Sequence, residues 1–84
     1  MLEKSELLQL VRDVATDFVS VEPETIEPDT VLDDIGGWTS FAHINIMLLL
    51  EESANISFKT DDISSVETIN DLIEIMSTAT SQNS

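Results

Sequence analysis

The chain has 84 residues, of which 17 are acidic and 3 are lysine or arginine, so its formal net charge is −14 at pH 7. This length supports one domain, and the charge opposes binding to nucleic acid or anionic membranes while it favours basic partner proteins. The lack of cysteine excludes disulfides and thiolate metal sites. The longest apolar run, residues 46–50, is too short to span a membrane and no basic, apolar leader precedes the domain, so we expect a cytoplasmic protein.

The first predicted helix covers residues 3–19. Apolar side chains recur there at intervals of three and four, which places them on one stripe of a helix. The members of this stripe are Leu7, Leu8, Val11, Val14, Ala15 and Phe18. Ser5 or Glu3 can start the helix, and Glu6 lies near its positive end, where an acidic side chain is favourable.

Residues 20–38 form the first connection and contain both prolines and both glycines of the chain. Loops longer than about 12–15 residues are uncommon in compact domains and are usually functional or disordered. This loop also carries apolar side chains that can anchor it on the helices: Ile26, Val31, Leu32, Ile35 and Trp38. We therefore predict an ordered crossover that leads to Ser40 at the start of the second helix.

The second predicted helix covers residues 39–53, and it is apolar on more than one side. At about 100° per residue, Ile46 and Leu50 lie on one side, which is enough for the core of a small bundle. A second apolar set lies towards another side: Phe41, Ile44 and Leu48. These three either pack against the loop, as in most helices that are apolar all round, or form an exposed patch for partners, rimmed by Glu51 and Glu52.

Thr39 and Ser40 both lie at the start of the second helix. Hydroxyl side chains there are most often caps that accept hydrogen bonds from free backbone N–H groups. If Thr39 is the cap, Ser40 lies in the first turn with its hydroxyl outside. Free N–H groups and the positive end of the helix dipole favour an attached phosphate at that position. Ser40 is therefore a candidate for carrying a phosphoryl-linked group.

Two further helices are predicted in the last third of the chain. The sequence of residues 60–66 predicts at most one short turn of helix around Ile63. A final helix begins at Thr68, a good N-cap with Asp71 three residues on. Its apolar stripe consists of Ile69, Leu72, Ile73 and Met76.

No segment alternates with a period of two for long enough to predict a strand, so the fold class is all-α. The helical domain covers residues 1–76. Residues 77–84 are small and polar, and we expect a disordered tail there.

Several of these features together resemble the acyl carrier proteins: an amphipathic first helix, the loop "LDDIGGW" at residues 32–38, a serine that opens an apolar second helix, and "TINDLI" at residues 68–73. The resemblance extends from Leu2 to about Met76, and residues 33–52 are its most specific part. It implies a monomeric, antiparallel four-helix bundle with three main helices, one short helix and a long first loop. In this family the matching serine, here Ser40, accepts 4′-phosphopantetheine from coenzyme A through a phosphopantetheinyl transferase.

The function implied by the resemblance is that of a carrier rather than an enzyme. Its arm holds acyl groups as thioesters and delivers them to acyl-transferring or condensing enzymes of fatty-acid, polyketide or related specialised biosynthesis. Basic patches on those partners would dock on a surface that comprises Asp33, Asp34, Phe41, Ile44, Asn45, Leu48, Glu51 and Glu52. An acyl chain would be sheltered among Ile46, Leu50, Ile63 and Ile73, for which an ordinary filled core is the other interpretation.

Two residues depart from the family pattern. Thr39 replaces the usual aspartate before the attachment serine. It can cap the helix equally well, but it lacks the carboxylate that helps to hold magnesium during arm transfer in this family. Asn45 stands where many members have an acid, which indicates a narrower or unusual set of partners. Thr39 therefore favours an alternative function, an unmodified module of the same fold that binds a basic partner through the second helix.

Two other chemistries fit the residues poorly. Ser40 and His43 lie three residues apart, but the segment lacks the glycines of a nucleophile elbow and a small bundle offers little cleft for a hydrolase. We expect His43 to be a solvated helix histidine. The acidic segment of residues 29–40 does not have the ligand spacing of a calcium-binding EF-hand, so no metal site is predicted.

Overall fold

The structure is a computed structural model, and it describes residues 3–82. This part of the chain contains four α-helices and two short 3₁₀ turns: α1 (Lys4–Ala15), the turns Pro23–Thr25 and Leu32–Asp34, α2 (Ser40–Ala54), α3 (Thr60–Ser65) and α4 (Ile69–Gln82). The described residues form no strand, only an isolated antiparallel bridge between Val31 and Thr68. The predicted all-α bundle of three longer helices and one short helix is confirmed.

The first helix begins where the sequence predicted but ends four residues earlier than the predicted residue 19. Glu3 is its N-cap, and the Glu3 backbone N–H donates to the Glu6 carboxylate at 3.2 Å. At the other end, the Thr16 hydroxyl donates to the Arg12 carbonyl at 2.9 Å. The chain then tightens into i→i+3 bonds, among them that of the Phe18 N–H to the Ala15 carbonyl. Hydroxyl back-bonding and tighter turns satisfy the free carbonyls of a helix end, which is why α1 stops here.

The core lies between α1, α2 and α4, and α1 packs against both of the other helices. Its largest fully buried side chains are Leu7, Val11, Ile26, Ile46, Met47, Leu50, Ile69, Leu72 and Met76. Burying one side chain of this size stabilises a fold by about 1.5–3 kcal/mol before entropy is counted. No residue of α3 is buried, so α3 is the helix with the weakest hold on the core.

The long first connection is ordered, as predicted, because it hydrogen-bonds to the start of α4. The Leu32 N–H donates to the Glu67 carbonyl at 2.9 Å, and the Ile69 N–H donates to the Thr30 carbonyl at 3.0 Å. The Arg12 guanidinium of α1 also donates to the Ile26 carbonyl at 2.8 Å. Of the apolar residues predicted to anchor this loop, Ile26, Leu32 and Ile35 are buried and Trp38 is half-buried, whereas Val31 is 41% exposed.

Gly37 supports the sharp turn that leads from this loop into α2. Its φ is +91°, a left-handed conformation that costs residues with a side chain appreciable energy. A Cβ at Gly37 would also lie 3.3 Å from the Cα of Val19. The turn therefore needs glycine both for its backbone angle and for its close approach to Val19, which lies in the segment after α1.

The last helix extends past Met76, where the sequence pattern predicted a disordered tail to begin, and continues to Gln82. Small residues allow this extension. Ala79 packs against the core, and the Thr80 hydroxyl is satisfied by the Ser77 carbonyl of its own helix at 3.0 Å. Residues 83–84 of the predicted tail lie outside the described residues. No helix within the described range is long and apolar enough to cross a membrane.

Candidate functional site

Ser40 is the first residue of α2, and Thr39 is its N-cap. The Thr39 hydroxyl accepts from the Ala42 backbone N–H at 3.2 Å. The prediction that Thr39 can cap the second helix is therefore confirmed. The Ser40 side chain is exposed. Among residues 3–80, whose side chains are described, its hydroxyl has no hydrogen-bond partner.

This placement gives Ser40 a definite chemical character. Its hydroxyl lies on the first turn of a 15-residue helix, next to backbone N–H groups that lack intrahelical acceptors. These groups and the helix dipole stabilise an anion, typically by 0.3–1 kcal/mol at an exposed position. A negatively charged group attached to the exposed Ser40 oxygen would lie beside these N–H groups.

His43 lies one turn further along α2, and the prediction that it is a solvated helix histidine is wrong. Its ring is half-buried. Nδ1 accepts from the Trp38 indole N–H at 3.0 Å, and Nε2 lies 2.8 Å from the Ile63 carbonyl oxygen. Because both ring nitrogens already have partners, His43 is not available as a base for Ser40. This arrangement argues against a serine–histidine hydrolase pair.

The second apolar side of α2 is exposed. Phe41, Ile44 and Leu48 have relative exposures of 74%, 56% and 53%. We call these three residues the α2 patch. Their exposure agrees with the exposed-patch interpretation and rules out packing against the loop. Large apolar side chains that share one side of a helix and face solvent mark a surface for binding.

The polar residues predicted for the docking surface differ in whether their side chains are hydrogen-bonded within the described part of the chain. Asp33, Asp34 and Glu52 are exposed. The Glu51 carboxylate instead accepts from the Phe58 backbone N–H at 2.7 Å, so Glu51 also fastens the connection between α2 and α3. The Asn45 side chain donates to the Phe41 carbonyl of its own helix at 2.7 Å. The sequence offered no signal for Glu51, because its partner is a backbone group seven residues away.

An open cavity of about 570 Å³ lies beside Ser40, between α2, α3 and the long loop. Its lining residues are Val31, Leu32, Asp33, Trp38, Thr39, Ser40, His43, Ile44, Ile63, Ser64, Val66 and Glu67. Of the four residues predicted to shelter an acyl chain, only Ile63 lines this cavity. Ile46, Leu50 and Ile73 are buried in the core, which agrees with the filled-core interpretation of these three residues.

The described part of the chain contains no group of three or more histidine, cysteine, aspartate or glutamate residues that could hold a metal ion. Residue 39 contributes a hydroxyl and no carboxylate beside Ser40.

Comparisons with known proteins agree with this architecture. No protein-family model matches the chain. An acyl carrier protein of Thermosynechococcus vestitus is 21% identical over 75 residues, which cover 89% of this chain and 93% of that protein. The solution structure of a hexanoyl acyl carrier protein from the actinorhodin polyketide synthase in Streptomyces coelicolor matches with a TM-score of 0.79 and 20% identity, over 100% of this chain and 96% of that one. The predicted resemblance is thus confirmed, and the fold is that of the proteins in this comparison.

Proposed function

We propose that this chain, which resembles acyl carrier proteins in sequence and shares their fold, carries acyl groups as thioesters on a 4′-phosphopantetheine arm attached to Ser40. The observation that supports this most directly is the Ser40 hydroxyl, exposed and unpartnered among the described residues at the start of α2. Thr39 provides the helix cap, so esterification of Ser40 costs the fold no hydrogen bond.

Attachment of the arm is a phosphoryl transfer from coenzyme A. The Ser40 oxygen forms a bond to phosphorus, the hydroxyl proton is lost, and the adenosine bisphosphate half of coenzyme A leaves. The free N–H groups at the start of α2 stabilise the phosphodiester. Because both ring nitrogens of His43 are hydrogen-bonded, we assign the proton acceptor to the phosphopantetheinyl transferase. The attached arm supplies a thiol that holds the acyl group, and tethering raises the local concentration of this cargo at each enzyme.

The proposed partners are the transferase and acyl-transferring or condensing enzymes of fatty-acid, polyketide or related specialised biosynthesis. The α2 patch offers them an apolar contact, and Asp33, Asp34 and Glu52 offer negative charge around it. Charges of this kind steer a basic partner and fix its orientation more than they add affinity. An enzyme surface with an apolar groove and a rim of arginine and lysine fits both features.

The cavity beside Ser40 is the proposed shelter for part of the cargo. Val31, Ile44 and Ile63 give it apolar walls close to the attachment point. The other residues expected to shelter an acyl chain are buried in the core: Ile46, Leu50 and Ile73.

The test is direct modification of the purified chain. We expect incubation with coenzyme A, magnesium and a broad-specificity phosphopantetheinyl transferase to add one phosphopantetheinyl unit, measured by intact-mass spectrometry. Ser40→Ala should abolish the addition. Ser64→Ala is the matched control, since Ser64 is also exposed and lines the same cavity, and it should leave the addition unchanged. Addition that persists in Ser40→Ala would overturn the assignment of the site.

A second candidate function is an unmodified interaction module that binds a basic partner through the α2 patch. Thr39 favours it, because the chain supplies no carboxylate next to Ser40. The same experiment separates the two. A native chain that stays unmodified while Thr39→Asp is fully modified would support the module and would reject the carrier.

A further inference from the structure

Trp38, His43 and Ile63 form a continuous chain of hydrogen bonds along the wall of the cavity beside Ser40. The Trp38 indole N–H donates to His43 Nδ1 at 3.0 Å, and the two rings are tilted by 55° with their centroids 6.1 Å apart. His43 Nε2 lies 2.8 Å from the Ile63 carbonyl oxygen. These two hydrogen bonds thus join three elements: the loop before Ser40, α2 and α3.

The chemistry of the two partners fixes the form of the histidine. An indole N–H can only donate, and a carbonyl oxygen can only accept. His43 must therefore carry its proton on Nε2 and a lone pair on Nδ1 for both bonds to exist. This is the neutral Nε2–H tautomer, held by the groups on either side of the ring.

The bond to Ile63 matters because α3 has few other attachments. The helix has six residues and none of them is buried. The Ile63 carbonyl lies in the last turn of α3, where carbonyl groups receive no hydrogen bond from an N–H of the same helix. His43 therefore satisfies a free carbonyl of α3 and fastens this helix to α2 at the same point.

We propose that His43 is a positioning residue whose neutral Nε2–H form fastens both Trp38 and α3 to α2, and so sets the geometry of the cavity wall beside Ser40. The two bonds respond differently to a proton. A proton on Nδ1 removes the acceptor for Trp38 but leaves Nε2–H free to donate to Ile63. A ring that carries protons on both nitrogens would therefore release the indole and keep α3 in place, whereas loss of the imidazole releases both.

Two acidic residues line the cavity on which the His43 ring lies. Asp33, from the second 3₁₀ turn, and Glu67, from the segment before α4, line the same cavity as His43. Asp62 of α3 lines two other depressions of the surface and not this one. Neither hydrogen bond of His43 involves Ser40, so the role proposed for His43 does not depend on whether Ser40 is modified.

The first test needs no variant. In the nitrogen-15 NMR spectrum of the full chain near neutral pH, the His43 ring should show a protonated Nε2 and an unprotonated Nδ1. The indole N–H resonance of Trp38, the only tryptophan in the chain, should shift on acidification with the same midpoint as the His43 ring. Amide exchange in α3 should stay unchanged through that transition. A proton on Nδ1 at neutral pH, or an indole resonance that does not follow the ring, would overturn the proposal.

The second test separates the two bonds by substitution. His43→Phe should speed amide exchange in α3 by roughly 2- to 10-fold, the loss of about one hydrogen bond, with the amides of α1 and α4 unchanged. Trp38→Phe should leave α3 exchange at the native rate. Ser53→Ala, an exposed change on the same helix, is the control and should have no effect. Equal rates of α3 amide exchange in the native chain and in His43→Phe would contradict the role of His43. If that variant does not fold, the nitrogen-15 NMR measurement on the native chain decides the question.

Discussion

Thr68 and Asp71 cap each other's backbone at the start of α4. The Thr68 hydroxyl accepts from the Asp71 N–H, and the Asp71 Oδ2 accepts from the Thr68 N–H, both at 3.1 Å. The same Oδ2 also accepts from the Glu67 N–H at 3.1 Å. The hydrogen bond from the Glu67 backbone, followed by that from Thr68, lowers the pKa of Asp71 below its ordinary value. The start of α4 is therefore most stable with Asp71 ionised.

Asp71→Asn should destabilise the chain by about 0.5–2 kcal/mol at neutral pH, the usual cost of losing a helix cap. Since the native pKa of Asp71 is lowered, its contribution is present above the ordinary aspartate pKa of about 3.9. It is lost as the pH falls through the lower native value. Urea unfolding of both chains from pH 7 downwards should show their difference shrinking below about pH 4.

Glu74→Gln is the control for this experiment. Glu74 lies one turn along the same helix and forms an exposed ion pair with Lys4. Its loss should cost less than about 1 kcal/mol. An Asp71→Asn effect no larger than that of Glu74→Gln would contradict the capping role.

Gly37 and Gly36 should respond very differently to alanine. Gly37→Ala forces a side chain onto a φ of +91° and brings its Cβ to 3.3 Å from Val19, so we expect a loss of roughly 1–3 kcal/mol. A Cβ at Gly36 would meet nothing nearer than a Val21 methyl at 4.0 Å. Gly36→Ala should therefore stay within about 0.5 kcal/mol. Thermal unfolding of both variants checks this, and equal losses would show that the turn does not depend on Gly37.

Leu48 and Leu50 lie two residues apart and test the two sides of α2. Leu50 is fully buried and Leu48 is 53% exposed. Leu50→Ala should lower the free energy of unfolding by about 2–5 kcal/mol, whereas Leu48→Ala should change it by less than about 0.5 kcal/mol. Leu48→Ala should instead raise the KM for modification by a phosphopantetheinyl transferase, measured from initial rates. A KM for Leu48→Ala equal to that of the native chain would contradict a docking role for the α2 patch.

Residue 39 should control the rate of modification more than the stability of α2. Thr39→Asp keeps a cap and adds a carboxylate beside Ser40, so kcat/KM for phosphopantetheinylation should rise. Thr39→Ser keeps the hydroxyl alone and should match the native chain. Thr39→Ala should lose about 1 kcal/mol of stability with no gain in rate. The carboxylate is irrelevant if Thr39→Asp and Thr39→Ser are modified at the same rate.

The acids around the α2 patch should make docking sensitive to salt. The KM for a transferase with a basic docking face should rise steeply between low salt and 1 M, because the screening length falls to about 3 Å. Glu52→Gln should reduce the slope of this dependence. Glu24→Gln, an exposed acid in the first 3₁₀ turn, changes the net charge equally and should reduce the slope less. A KM that does not change with salt would rule out acidic docking.

The sequence predicted features that depend on neighbours in the chain. The caps at Thr39 and Thr68 lie at helix starts that the apolar pattern already marks, and their partners are three residues away. The buried side of α2 follows in the same way from the spacing of Ile46 and Leu50. Local spacing also predicted that the other apolar side would need a partner or the loop, although it did not decide between them.

Features that join distant elements were not predictable in this way. His43 is fixed by an indole from the loop and a carbonyl from α3, and no periodicity reports what lies opposite a residue. The lining of the cavity beside Ser40 was not predictable for the same reason, and of the residues predicted to shelter an acyl chain only Ile63 lies on it. Val31 was expected to anchor the loop, yet it is exposed beside the cavity, since its backbone rather than its side chain makes the bridge to Thr68.

The hydrogen bonds from the long connection to the start of α4 have a consequence for the evolution and engineering of this chain. The Asn70 N–H donates to the Pro28 carbonyl at 2.7 Å, and this bond continues the row formed by Ile69 and Leu32. Residues 28–32 are thus bonded to the segment at the start of α4, so the position of that helix limits the length of this part of the loop. Insertions or cuts near residues 28–32 should be among the least tolerated changes in the molecule.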